Sequence, residues 1–197
     1  MFHEIPSRVR DVMEELEEAD RRDRLDGTPR LERLRQVPPE TGRFLALLCA
    51  TAPDGGVIEI GTSAGYSALW LALACRARGR QLTTFEILPA KASRARTTFE
   101  RAGVRDVVGL VEGDFLDHTG PLGDVGFCFL DAEKDVYRAC VDAVIASLVP
   151  GGLLVADNVI SHRDELADVV DAVLGDPRVD AVVVPIGRGE LVARRVN

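Results

Sequence analysis

The chain reads as a doubly wound α/β domain built on a mainly parallel sheet, and three observations predict this. The stretch Val57-Ile58-Glu59-Ile60-Gly61-Thr62-Ser63-Ala64-Gly65-Tyr66-Ser67 is an apolar run that ends in two glycines and leads into the Ala/Leu-rich segment 68–73. That order suits a strand buried on both faces, a turn, and a helix packed on the strand. Beyond it strand-like and helix-like segments alternate, the pattern of right-handed βαβ crossovers. At the end two β-rich runs are separated only by Ile186-Gly187-Arg188-Gly189, a hairpin spacing that turns the last strand antiparallel.

Before the first strand, Val9, Val12, Met13 and Leu16 recur at helical spacing and give one apolar stripe on a helix otherwise filled with Glu and Arg. Such a stripe suits either its own domain or a second subunit. Gly27-Thr28-Pro29 breaks the pattern, so residues 1–30 read as a helical extension and 31–197 as the core of a single domain. Pro38-Pro39-Glu40 opens a helix whose buried face is expected at Phe44, Leu45, Leu47 and Leu48, with Pro53-Asp54-Gly55-Gly56 as its stop. Gln81–Glu86 is the second strand; Ala90–Ala102 is a helix stopped by Gly103; Val107–Glu112 and Val125–Leu130 are strands three and four. Tyr137, Val141, Val144, Ile145 and Leu148 form the next helical stripe, closed by Pro150-Gly151-Gly152, and Leu153–Ala156 is strand five. Leu166, Val169, Val170, Val173 and Leu174 repeat the helical spacing, and Val179–Pro185 and Glu190–Val196 are the closing strands.

The net charge of -8 on 197 residues argues against a broad footprint for nucleic acid or an anionic membrane and favours small-molecule chemistry. Cys49, Cys75, Cys128 and Cys140 form no Cys-x-x-Cys pair and sit among apolar neighbours, so buried reduced thiols in a cytoplasmic protein are expected. Residues 1–10 lack the apolar centre of a signal sequence, and no stretch reaches the roughly 18 apolar residues of a membrane span.

Chemistry concentrates where a doubly wound sheet keeps its ligands, beyond the carboxyl ends of the strands. Gly61 and Gly65 let the backbone approach a ligand and aim the N–H groups of the next helix at it. Three acids fall at strand ends: Glu86, Asp131 and Asp157. Glu86 suits the two ribose hydroxyls of an adenosine cofactor. Asp131, Asp157 and Asn158 offer only oxygen donors, a hard set that selects Mg²⁺, Mn²⁺ or Ca²⁺ over zinc; a polar Asp-Asn turn and a capping Asp131 account for the same residues without metal. Lys134 is three residues from Asp131, within reach of the same cleft.

Four motifs resemble the cation-dependent, catechol-type O-methyltransferases, which include the caffeoyl-CoA enzymes. They are residues 59–67, Leu130-Asp-Ala-Glu-Lys-Asp-Val-Tyr137, Gly151-Gly-Leu-Leu-Val-Ala-Asp-Asn-Val159 and Pro185-Ile-Gly-Arg-Gly-Glu-Leu-Val-Ala-Arg194, in the family's order from about Leu31 onward. The resemblance implies a Rossmann-like class I methyltransferase fold, a seven-stranded, mostly parallel sheet with helices on both faces, binding S-adenosylmethionine. It places Glu59, Gly61, Thr62, Gly65, Tyr66 and Ser67 around the methionine moiety, Glu86 on the ribose, Gly113, Asp114 and Phe115 beside the adenine, and Val37 at the methyl-donor end. It makes Asp131, Asp157 and Asn158 the metal ligands and Lys134 the general base, with Asp131 beside it in catalysis. The implied reaction is in-line transfer of a methyl group to a hydroxyl of a small, hydroxylated acceptor, by a homodimer.

One segment departs from the family pattern. Between Asn158 and the following helix only Val-Ile-Ser-His-Arg-Asp remains where relatives carry a longer insertion, so a clipped acceptor wall is expected, with His162 on it. Other readings stay open: a relative acting on wobble uridine of tRNA, a nicotinamide-binding oxidoreductase, and a ligand-binding module without catalysis. Against nicotinamide stands Gly61-x-x-x-Gly65, which lacks the Gly-x-Gly-x-x-Gly spacing.

Overall fold

The computed structural model describes residues 2–120 and 122–196. Helix α1 (Ser7–Asp23) and helix α2 (Pro39–Thr51) precede strand β1 (Gly56–Ile60). Helices and strands then alternate as α3 (Tyr66–Arg78), β2 (Leu82–Glu86), α4 (Pro89–Ala102), β3 (Val108–Glu112), β4 (Val125–Leu130), α5 (Tyr137–Ser147), β5 (Leu148–Ala156) and α6 (Arg163–Leu174), except that only a 3-10 turn, Phe115–His118, joins β3 to β4. Strands β6 (Val179–Val184) and β7 (Glu190–Arg195) end the chain.

The seven strands lie in the order β3-β2-β1-β4-β5-β7-β6. Strand β1 pairs in parallel with both β2 and β4, and β7 runs antiparallel between β5 and β6, as the hairpin spacing predicts. Helices cover both faces. One core gathers Leu45, Leu69, Leu71, Phe127 and Phe129 beneath α1 to α4; the other gathers Tyr137, Val141, Ile145, Leu154 and Leu166 beneath α5 and α6. Strands buried from both sides are continuous apolar runs, and β4 is buried at every residue.

Three details differ from the sequence pattern. Strand β5 begins at Leu148, and Pro150-Gly151-Gly152 is an irregularity within it: Val125 pairs with Leu148 and Phe127 with Leu153. Proline and glycine end a helix or interrupt a strand alike, because a missing N–H and a positive φ suit both. Leu47 is 52% exposed, and the buried face of α2 runs instead through Thr41, Leu45 and Cys49. Leu174 closes α6 facing solvent.

The stripe on α1 is buried against its own chain. Val9, Val12, Met13 and Leu16 join the first core, the Tyr66 hydroxyl donates to Glu17 at 2.6 Å, and the Phe2 ring meets Trp70 edge-on at 5.8 Å. All four cysteines are buried and free. No helix among the described residues is long and apolar enough to cross a membrane.

Candidate active site

The sheet order reverses between β1 and β4, and a cleft of about 360 Å³ opens beyond the carboxyl ends of the strands there. This is where an open α/β sheet binds ligands. Gly61 makes the geometry possible: its φ is 102°, and a Cβ built on it would sit 2.2 Å from the carbonyl oxygen of Asp131. Its N–H and that of Thr62 both donate to the Phe85 carbonyl, at 3.0 and 3.1 Å, and the Asp131 N–H donates to the Ile60 carbonyl at 2.9 Å, so the ends of β1, β2 and β4 are clamped together. Gly61, Thr62, Tyr66 and Ser67 line the cleft.

Glu59 and Gly65, expected around the cofactor, do not reach the cleft wall. Glu59 points into the sheet core with no exposed surface; Thr84 Oγ1 donates to its Oε2 at 2.5 Å and its Oε1 has no partner. Burial drives its pKa up to about 7, while the hydroxyls of Ser67 and Thr84 pull the other way. Gly65 (φ 92°) starts α3 and closes on α4, where a Cβ would meet the Phe99 ring at 2.6 Å.

Glu86, at the end of β2, is held by two backbone donors: Ser63 N to Oε2 at 2.7 Å and Leu88 N to Oε1 at 2.9 Å. The Ser63 hydroxyl in turn donates to the Leu34 carbonyl at 2.8 Å. This fixes the β1–α3 turn against the segment that carries Val37, which is 3% exposed and on the cleft wall. Gly113, Asp114 and Phe115 complete this half. Asp114 caps a short 3-10 turn by accepting from Leu116 N at 2.9 Å, and Phe115 packs edge-on against Phe85 with centroids 5.3 Å apart. Two carboxylates, of Glu86 and Asp114, and the Phe85–Phe115 pair thus line this half of the cleft.

Across the switch point, Asp131 follows β4, and Asp157 and Asn158 follow β5. Asp131 and Asn158 meet on the cleft wall, with Asn158 Nδ2 donating to Asp131 Oδ1 at 2.8 Å. Asn158 takes a φ of 72° to do this, a left-handed conformation that asparagine tolerates better than most residues. Asp157, expected as a ligand on the wall, lies behind it at 2% exposure, and its Oδ1 accepts the Asn158 N–H at 2.6 Å. Lys134 Nζ donates to the Ala132 carbonyl at 2.9 Å and the Tyr137 hydroxyl at 2.7 Å, with Asp131 Oδ1 at 3.5 Å. Burial holds its pKa below the usual lysine value against the opposing pull of Asp131 and Asp157.

The residues here suit a divalent cation. Glu190, at the start of β7, has no exposed surface, and no donor among the described residues reaches either of its oxygens. The group opposite is the Asp157 carboxyl. Burial, and then the charges of neighbouring carboxylates, push Asp157 and Glu190 both upward, so alone the pair holds a proton rather than two charges. Three carboxyls thus converge with the Lys134 ammonium as their near cation, and the cluster lacks positive charge. Among the described residues no three His, Cys, Asp or Glu side chains form a metal centre; the wall-facing donors are Asp131 and the Asn158 amide, whose half-turn rotation presents Oδ1. This is an all-oxygen donor set, which hard cations prefer.

Some members of the site were not singled out from the sequence. Glu190 enters the sequence pattern only as the first residue of the closing β-rich run. Tyr137 reads as one member of an apolar stripe, yet its hydroxyl links Lys134 to the Asp157 carbonyl at 3.0 Å; its position three residues after Lys134 was the available signal. Lys91 on α4 is 8% exposed at the cleft beside Glu86, and burial lowers its pKa. His162 and Arg188 also line the cleft. Only Val159-Ile160-Ser161-His162 separates Asn158 from α6, so the wall is as short as the sequence suggests.

A family model described as O-methyltransferase matches residues 4–196, which includes the helical segment that the sequence pattern sets apart. The catechol O-methyltransferase of Mycobacterium tuberculosis is 38% identical over 138 residues, 69% of this chain and 62% of that protein. Caffeoyl-CoA O-methyltransferase 1 of Eucalyptus globulus is 28% identical over 182 residues, 80% of this chain and 74% of that one. The solved O-methyltransferase from Bacillus cereus, in complex with SAH, superposes with a TM-score of 0.79 at 26% identity, covering 94% of this chain and 90% of the other. With the glycine turn, the carboxylate on β2 and the polar cluster all at one switch point, these likenesses lead to one assignment: the chain belongs to the S-adenosylmethionine-dependent O-methyltransferase family, of the catechol and caffeoyl-CoA type.

Proposed function

We propose that the protein is a divalent-cation-dependent O-methyltransferase that methylates a hydroxyl of a small aromatic or natural-product acceptor, with S-adenosylmethionine as donor. The observation that carries this reading is the division of one cleft into two halves: the Glu86, Asp114 and Phe115 slot, and the Asp131, Asn158 and Lys134 cluster. In it Glu86 accepts from the ribose hydroxyls, Asp114 and Phe115 border the adenine, and Gly61, Thr62 and Ser67 surround the methionine end. Asp131 and Asn158 would hold the cation, and Asp157 and Glu190 would supply negative charge behind them. When bound, a divalent cation lowers the pKa of a coordinated hydroxyl.

The chain's own residues then orient and deprotonate. Val37 and Val136 give the acceptor an apolar wall beside the polar cluster, which excludes water and aligns the hydroxyl for in-line attack. Lys134, whose pKa burial lowers, accepts the hydroxyl proton at Nζ from its free-amine form and becomes the ammonium, and the Tyr137 hydroxyl and the Ala132 carbonyl fix where that nitrogen sits. We read the assembly as a cytoplasmic homodimer; the buried free thiols suit a reducing compartment, and light scattering measures the assembly.

The test is methyl transfer from labelled donor to catechols, hydroxylated polyketides and bulk tRNA, with Mg²⁺ and with EDTA. Mg²⁺-stimulated labelling of a small phenolic acceptor is expected. Undiminished turnover in EDTA removes the cation from the mechanism, and labelling of tRNA alone moves the assignment to the nucleic-acid branch.

A further inference from the structure

The part of the cleft bounded by the ends of β4 and β5 sets basic side chains beside the carboxylates of Asp131, Glu133 and Asp135. Arg30, Arg35, Lys134, His162 and Arg188 all line it. Arg30 and Arg35 converge on one carboxylate, Glu133, and Lys134 is engaged by Ala132 and Tyr137. Arg188 is the spare cation: it is half-buried, and no acid among the described residues lies within ion-pair distance of its guanidinium.

The backbone that carries Arg188 is fixed. In the β6–β7 turn its carbonyl accepts from Ile160 N at 3.2 Å and Ser161 N at 3.0 Å, and the next carbonyl, of Gly189, accepts from Val159 N at 3.0 Å. The turn is therefore stitched to the short segment after Asn158, and Arg188 and His162 face one space. The His162 N–H donates to the Asn158 carbonyl at 2.9 Å, and Ser161 Oγ sits 3.0 Å from its Nδ1, so the ring is held beside the turn.

We propose that the acceptor carries an oxyanion, a carboxylate or phosphonate-type group, on its hydroxylated framework, and that Arg188 is the residue that binds it. This rests on the O-methyltransferase reading above and adds the charge of the substrate to it. A guanidinium presents a planar fork of donors that matches an oxyanion, and a charge pair in a partly dry cleft is stronger than one in open water. An unpaired arginine beside the hydroxyl-activating cluster leaves the reacting end of the acceptor at Lys134 and its acidic end at the turn. His162, on the same wall, adds a hydrogen-bonding ring beside it.

The experiment compares four probes of similar size: 3,4-dihydroxybenzoate, 3,4-dihydroxybenzylphosphonate, neutral 4-methylcatechol and cationic 3,4-dihydroxybenzylamine. Calorimetry on the protein loaded with S-adenosylhomocysteine and Mg²⁺ gives Kd, and labelled methyl transfer gives kcat/KM. Both anions are expected to bind about tenfold more tightly than 4-methylcatechol, with the amine weakest; the better of the two anions identifies carboxylate or phosphonate chemistry. Arg188→Gln should bring the anion-to-neutral ratio close to one, and Arg188→Glu should reverse it. A wild-type ratio at or below one, a ratio that Arg188→Gln leaves in place, or no binding of any probe overturns the proposal. If none of the four is methylated while the anions still bind preferentially through Arg188, the charge assignment stands and the catechol-type reaction is what fails.

Discussion

Replacing Glu59 with glutamine isolates the cost of a carboxylate inside a sheet. The side chain is buried on β1, one oxygen accepts from Thr84 and the other has no partner. Its pKa rises from 4.5 to about 7, chiefly through burial. At about 1.4 kcal/mol per pH unit this is about 3 kcal/mol, a large share of a stability of roughly 5–15 kcal/mol. The sign follows from proton binding. The folded carboxyl keeps its proton to higher pH than the unfolded one, so the favourable contribution is complete below the unfolded pKa and is lost as pH rises to about 7. Glu59→Gln cannot ionise. Its stability relative to wild type should therefore climb by roughly 2–3 kcal/mol between pH 5 and pH 8, read by urea unfolding with far-UV circular dichroism at several pH values. Using the difference between the two proteins cancels the other buried carboxyls, Asp157 and Glu190. A difference that stays flat with pH, or one that moves in favour of wild type, refutes the burial argument and makes Glu59 an ionised, well-partnered group. The same pair of proteins tests its place behind the wall: affinity for S-adenosylhomocysteine should fall less for Glu59→Gln than for Glu86→Ala.

Two other changes probe the switch point. Gly61→Ala forces a Cβ to within 2.2 Å of the Asp131 carbonyl at a φ of 102°, and should destabilise by about 2–4 kcal/mol with loss of donor binding; a thermal midpoint within two degrees of wild type would show that the turn relaxes cheaply. Lys134→Met keeps the stem and removes the proton acceptor, so kcat should drop on the order of a hundredfold and the rate should rise with pH as hydroxide takes over, whereas an unaltered pH–rate profile would remove Lys134 from proton transfer.

Most strands were legible because each is a short apolar run between glycines or charges, and β4, apolar from Val125 to Leu130, admits no other placement. Glu86 and Asp131 were legible as site residues for a positional reason: an acid directly after a buried strand must emerge at the carboxyl edge. Depth was harder to read. Glu59 sits inside a run that was itself recognised as buried on both faces, so its burial followed from the strand, but the motif drew it toward the cofactor. Asp157 was one residue too early to reach the wall; Asn158, with its left-handed backbone, reaches it instead. Glu190 and Arg188 stayed hidden because a hairpin's outward and inward positions depend on register, and one residue exchanges them. The register that pairs Val184 with Glu190 and Ala156 with Leu191 is visible only in three dimensions.

The first helix does more than cover a hydrophobic surface. Two of its aspartates accept backbone N–H groups from the strip over the cleft, Asp23 from Leu34 at 2.9 Å and Asp20 from Gln36 at 3.2 Å, while the same strip is tied to Ser63 and, through Arg35, to Glu133. Anything entering or leaving beneath that strip must loosen ties at both of its margins. A helix outside the cleft wall thus anchors the cleft's roof, and trimming the chain before Gly27 would remove those two anchors.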